Sequence, residues 1–95
     1  MMSNYEVVLI LQPDLEEAVI STAVDKVTTW IKDAGGSVSK NDTWGRRRLA
    51  YAIRKQRDGY YVLLTAQMPP SFIHELERNL RLLEPVMRYM VTSVK

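Results

Sequence analysis

Two strand-helix-strand patterns in succession along a chain of 95 residues predict an α+β fold of the ferredoxin-like class, ordered β-α-β-β-α-β. Four antiparallel strands would lie in the order 4-1-3-2, with two helices on one face of the sheet. Three observations carry this prediction. Apolar spacing alternates between strand-like and helix-like periods in that order. The chain echoes itself, Tyr5 to Pro13 (YEVVLILQP) resembling Tyr60 to Pro69 (YYVLLTAQMP), and each stretch leads into a helical pattern. The length suits a single domain over residues 1–95, able to bury roughly two-thirds of the surface its unfolded chain exposes.

Tyr5 to Leu11 is aliphatic and β-branched and stops at Gln12-Pro13, a length suited to a buried strand. Asp14 reads as the N-cap of the first helix, with Glu17 three residues on completing a capping box. Glu16 adds charge suited to the positive end of the helix. Leu15, Ala18, Val19, Thr22, Ala23, Val27, Trp30, Ile31 and Ala34 follow at helical spacing, and Gly35-Gly36 ends the helix. Val38 to Ile53 is extended, with a bulge or bend expected at Trp44-Gly45. Asp58-Gly59 carries the turn signal of a hairpin into the third strand, Tyr60 to Met68. There Tyr60, Val62, Leu64, Ala66 and Met68 share one face, and Tyr61, Leu63, Thr65 and Gln67 the other. Pro69-Pro70 ends the strand and Ser71 caps a helix whose apolar side is Phe72, Ile73, Leu76, Leu80 and Leu83. Pro85 closes that helix, and Val86 to Val94 is the last strand.

With both helices on one side, the other face of the sheet is left open. If Val7, Leu9 and Leu11 point to the helices with Val62, Leu64 and Ala66, then Glu6, Val8, Ile10, Tyr61, Leu63, Met90 and Thr92 point away. Several of these are large and apolar, as a partner surface would be.

Composition excludes several classes. Apolar residues make up 46% and charged residues 25%, the balance of a folded globular chain, and there is no cysteine for a disulfide or thiolate metal site. The longest apolar run, Val7 to Leu11, is far short of the ~18 residues a membrane span needs, and Met1 to Glu6 does not read as an export signal. Catalytic groupings are missing as well. His74, the one histidine, falls on the polar side of the second helix. Glu75 and Glu77 are two apart and do not share a helix face, and Gly35-Gly36 follows a helix rather than preceding one. An enzyme of this fold such as an acylphosphatase would need an anion-binding loop where Leu11-Gln12-Pro13-Asp14-Leu15 is short and acidic. No metal, cofactor or small-molecule substrate is expected.

The net charge of +2 hides an asymmetry. Residues 1–42 hold seven acids against three bases, and residues 43–95 hold ten bases against four acids. Arg46, Arg47, Arg48, Arg54, Lys55 and Arg57 lie within twelve consecutive positions that contain no acid. Charges on an outer strand also deter unwanted strand pairing, but one or two lysines suffice for that. Five arginines in six point to bidentate recognition of phosphate, and hence to a polyanion. In an extended chain Arg46, Arg48, Ala50, Ala52 and Arg54 share one face, and Arg47, Leu49, Tyr51 and Ile53 the other. The RNA recognition motif would need a glycine where Tyr61 stands and an aromatic on the open face of the first strand. Contact with the phosphates of a folded RNA is therefore the better expectation than base stacking on the sheet.

Gly45-Arg46-Arg47-Arg48-Leu49-Ala50-Tyr51-Ala52-Ile53-Arg54 resembles the signature decapeptide of the bacterial small-subunit ribosomal protein S6 family: glycine, any residue, basic, polar, Leu-Ala-Tyr, any residue, isoleucine, then a basic or small polar residue. Tyr5-Glu6, Gly59-Tyr60-Tyr61, Met68-Pro69, Leu80-Arg81 and the trio Val86, Arg88 and Met90 extend the likeness over nearly the whole chain. Ser3 and Asn4 stand where many members carry arginine or lysine. The resemblance implies a structural protein of the ribosomal platform that binds the central domain of small-subunit rRNA together with protein S18. It would reside on cytoplasmic ribosomes or, alternatively, organellar ones. Arg47, Leu49, Tyr51, Arg81 and Arg88 match motif positions, while Arg46 and Arg48 add charge at tolerant ones. The rRNA-binding set expected is thus Arg46, Arg47, Arg48, Arg54, Lys55, Arg57, Arg81 and Arg88, and the partner-binding set Val8, Ile10, Tyr51, Tyr61, Leu63 and Met90. Arg88 has a second reading, pairing across the sheet with Glu6. The rival function is a free-standing interaction module that self-associates through its open sheet face.

Overall fold

The computed structural model describes residues 2–53 and 55–94. In chain order it contains β1 (Ser3–Leu11), α1 (Glu17–Asp33), β2 (Ser37–Ile53), β3 (Gln56–Met68), a 3-10 turn (Pro70–Phe72), α2 (Ile73–Leu82) and β4 (Val86–Val94). The strands form one antiparallel sheet in the order β2-β3-β1-β4, which is the expected 4-1-3-2 read from the other edge. No helix among the described residues is long and apolar enough to cross a membrane.

Strand alternation sorts the sheet as anticipated. Val7, Leu9 and Leu11 are fully buried, and Leu64 and Val62 are their direct partners for the first two across the β1–β3 ladder. Ala66 and Met68 continue that inner face, which packs on Ile20, Ala23, Val24, Val27 and Ile31 of α1 and on Leu76 and Leu80 of α2. Each fully buried aliphatic side chain stabilises this layer by about 1.5–3 kcal/mol. No polar or charged residue is buried among the described residues, so the core carries no desolvated charge.

Four local expectations are corrected. First, Asp14 is not the cap of α1: the helix starts at Glu17, Glu16 holds the N-cap position, and no side chain bonds to the free N–H groups. Asp14 Oδ1 instead lies 3.5 Å from the Arg46 guanidinium. Second, the buried stripe of α1 is rotated. Ile20 and Val24 turn inward with Ala23, Val27 and Ile31, while Ala18, Val19 and Thr22 stay exposed, because the sheet gains more from the larger aliphatic groups. Third, Asp58-Gly59 is not a turn but part of β3, paired with Arg48 and Arg47. The chain reverses between Ile53 and Gln56, which pair with each other, and Lys55 has a positive φ of 66°, the left-handed backbone that tight hairpin turns use. Gly59 is required for space: a Cβ there would fall on Ile10 Cγ2 and press to 3.3 Å from Leu49 Cδ2. Fourth, Ser71 caps nothing. It lies in the 3-10 turn opened by Pro70, whose missing N–H suits a first helical position.

The end of α1 agrees with its glycine signal. Gly35 N–H donates to the Lys32 carbonyl and Gly36 N–H to the Ile31 carbonyl, both at 2.9 Å, the paired bonds of a Schellman ending.

Candidate nucleic-acid interface

The hairpin of β2 and β3 is longer than the sheet that carries it. β1 pairs with β3 from Ser3↔Met68 to Leu11↔Tyr60, where Arg46 of β2 also pairs, so β2 from Arg47 onward and residues 56–59 of β3 project past the end of β1 as an arm. The pairing within the hairpin slips three times: between Val38 and Lys40, between Thr43 and Gly45, and between Arg48 and Ile53. The last slip is the largest. Arg48 opposes Asp58 and Ile53 opposes Gln56, which leaves Leu49, Ala50, Tyr51 and Ala52 facing Arg57 alone. Extra residues on one strand bend and twist a ladder. The Tyr51 hydroxyl accepts a hydrogen bond from Arg88 on β4, at the far edge of the sheet, and that guanidinium lies 6.0 Å from the Tyr51 ring centroid. The alternative reading of Arg88, a cross-sheet pair with Glu6, is overturned: Arg88 stands opposite Ile10, and Glu6 opposite Thr92.

Leu11 pairs with both Tyr60 and Val86, so the arm, the β1–α1 loop, the end of α2 and the start of β4 lie at one end of the molecule. That end gathers the expected cations. Arg46, Arg47, Arg48, Lys55, Arg57, Arg81 and Arg88 are all exposed there. Arg54 lies outside the described residues. Arg46 is the most compensated, its Nη2 3.1 Å from Asp58 Oδ2 and its Nη1 3.5 Å from Asp14. Pairs so open to water contribute at most about 1 kcal/mol, so Arg46 is not locked. Among the described residues, Arg48, Lys55 and Arg57 have no carboxylate partner. Arg81, in the last turn of α2, donates to the Tyr89 hydroxyl at 3.1 Å.

The ladder also sets direction. Arg46 and Arg48 pair with Tyr60 and Asp58 and share the helix-side face of the arm, while Arg47 pairs with Gly59 on the open face. This is the split that alternation predicts. Positive charge thus flanks the arm on both sides.

On the open face the proposed partner-binding residues come together in rows. Val8 lies between Leu63 and Met90, and Ile10 between Tyr61 and Arg88. Met90 is 53% exposed and Tyr51 62%. Sequence reasoning missed Trp44. It is the extra residue between Thr43 and Gly45, and it stacks on Tyr61 with ring centroids 6.2 Å apart and planes 16° from parallel. Its indole Nε1–H donates to Asp42 Oδ2 at 3.2 Å, and the Arg47 guanidinium lies 5.6 Å from its ring centroid. The available signal was Gly45. Its φ of +81° makes the bulge, and the bulge turns the preceding side chain onto the open face. His74 is exposed, and no cluster of metal-ligating side chains occurs among the described residues.

Fold and site together define a small two-layer α+β protein with a cationic hairpin arm and an open, partly aromatic sheet face. The chain matches the family described as Ribosomal protein S6 over residues 4–93, and it belongs to that family. A small ribosomal subunit protein bS6 from Moorella thermoacetica is 45% identical over 94 residues, covering 99% of this chain and 96% of that relative. A bS6 protein from Streptomyces coelicolor is 44% identical over 90 residues, covering 95% and 94% of the two chains. The crystal structure of 30S ribosomal protein S6 from Thermotoga maritima superposes with a TM-score of 0.91 at 24% identity, covering 99% of this chain and 89% of the other, which shows a shared fold. Membership in a family of ribosomal proteins agrees with the reading that the chain is not an enzyme.

Proposed function

We propose that this protein is a structural constituent of the small ribosomal subunit, where its arm binds the central domain of small-subunit rRNA and its open sheet face meets protein S18. The observation that carries the RNA half is the gathering of seven exposed cations at one end of the molecule. Folding does not favour such crowding, because like charges repel. The phosphates of an RNA backbone relieve it. Arg48, Lys55 and Arg57, with no internal carboxylate among the described residues, are the first contacts, and Arg47, Arg54, Arg81 and Arg88 extend the footprint. Arg46 joins them by exchanging Asp14 and Asp58 for phosphate. The protein half rests on the rows Leu63–Val8–Met90 and Tyr61–Ile10, apolar side chains left half-open on a sheet that no helix covers. Tyr51, presented beside them by the arm, completes that surface. The cellular location that follows is the ribosome of the bacterial cytoplasm.

Filter binding to an rRNA central-domain fragment across a range of salt concentrations, with S18 present, tests this reading. The double variant Arg48→Ala, Arg57→Ala should weaken binding and lower the magnitude of the salt slope by about 0.7–0.9 per lost phosphate contact. An unchanged slope removes both residues from the interface.

A further inference from the structure

We infer that Trp44 is a stacking platform for an unpaired nucleobase, an inference that rests on the RNA reading above and adds to it a mode of contact other than charge. Trp44 is 41% exposed on the open face, although a tryptophan gains most from burial. Its orientation is already fixed from two directions. Tyr61 stacks against the ring at 6.2 Å, and the Asp42 carboxylate holds the indole N–H at 3.2 Å. The only polar atom of the side chain is therefore satisfied inside the chain. What remains for a ligand is the π surface, which recognises any flat group without reading its hydrogen-bonding edge.

A flat group already rests there. The Arg47 guanidinium lies over the ring, 5.6 Å from its centroid, a planar cation drawn to the same π surface that a base would use. An incoming base takes that place, and the released Arg47 turns to the phosphate of the same strand. Trp44 and Arg47 share the open face, so a backbone whose phosphate is held by Arg47 is in reach of the ring. Bases of a duplex are stacked on one another and offer no free face, so the ligand is an unpaired nucleotide from a loop, bulge or junction.

The experiment uses the full chain carrying Trp30→Phe, which leaves Trp44 as the single tryptophan of the two. Its emission is followed while a short oligouridylate, or a fully paired RNA duplex of equal length, is added. Oligouridylate should quench Trp44 and the duplex should not. Trp44→Leu should weaken oligouridylate binding by about 5- to 150-fold with an unchanged salt slope, whereas Trp44→Phe, which keeps a ring, retains most of the affinity. Arg47→Ala should lower the slope yet preserve the quench. Trp44→Leu binding as tightly as the parent, or losing duplex and oligouridylate equally, overturns the platform. If it does so while Arg48→Ala, Arg57→Ala still weakens binding, the RNA reading stands without it; if no variant binds RNA even at low salt, both fall. Emission that responds to S18 alone assigns Trp44 to the protein neighbour and likewise overturns the inference.

Discussion

A methyl group added at Gly59 would land on Ile10 Cγ2, beside Leu49 Cδ2 and Met87 Cε. Overpacking of that kind costs about 1–3 kcal/mol, so Gly59→Ala should lower the urea midpoint of unfolding with little change in the slope m. If Gly59 were a turn glycine the loss would come from its dihedral angles, and Gly59→Asn, which tolerates a left-handed turn, would be mild; here it should be at least as damaging as alanine. Asp14 gives the converse case. Losing a true N-cap costs about 0.5–2 kcal/mol, whereas Asp14→Ala here removes one exposed contact to Arg46 and should change stability by less than about 0.5 kcal/mol. It also leaves Arg46 with Asp58 as its one carboxylate partner among the described residues, so RNA binding by Asp14→Ala should be slightly tighter and more salt-dependent. Both residues carried the correct local signal in the sequence, Asp-Gly for a turn and Asp-x-x-Glu for a cap. Those signals rest on neighbours in the chain. Ile10 and Arg46, which decide the matter, are distant in sequence.

The elements themselves were largely readable, because apolar spacing reports which face of a strand or helix is covered and the core obeys it. Register was not. Alternation assumes one residue opposite one residue, and β2 breaks that rule at three places. From Arg46 to Arg48 the faces follow the sequence; beyond Arg48, four residues opposite Arg57 bring Tyr51 to Arg88, a contact between the first and last strands of the sheet order that no period could reveal. Trp44 was overlooked for the same reason. The bulge was foreseen, but not the face to which it delivers the indole. The Tyr51–Arg88 contact ties the arm down. Tyr51→Phe should speed amide hydrogen exchange in the arm while global stability changes by no more than about 1 kcal/mol, as expected for an exposed hydrogen bond that holds an element rather than the core. Equal exchange in the two proteins would show that the arm is held by its ladder alone.

Across the whole molecule, stability and binding reside in different places. The packed layer runs from Val7, Leu9 and Leu11 through Val62 and Leu64 to α1 and α2, with no buried charge among the described residues. Leu9→Ala should therefore cost about 2–5 kcal/mol by opening a cavity, measurable by urea unfolding, and leave the salt slope of RNA binding unaltered in the fraction that remains folded. The arm has the opposite character, exposed and cationic, so its arginines can be replaced with little effect on the core. That separation was visible in the chain as an acidic first part and a basic remainder. The sequence did not show that Arg81 and Arg88 join the strip at one end, since the sheet register alone brings them there. The measurement that tests the central claim most directly is a structure of the small ribosomal subunit carrying this protein. Arg48 and Arg57 should lie within hydrogen-bonding distance of rRNA phosphate oxygens; an arm projecting into solvent, with the rRNA contacting other surfaces of the protein, would contradict it.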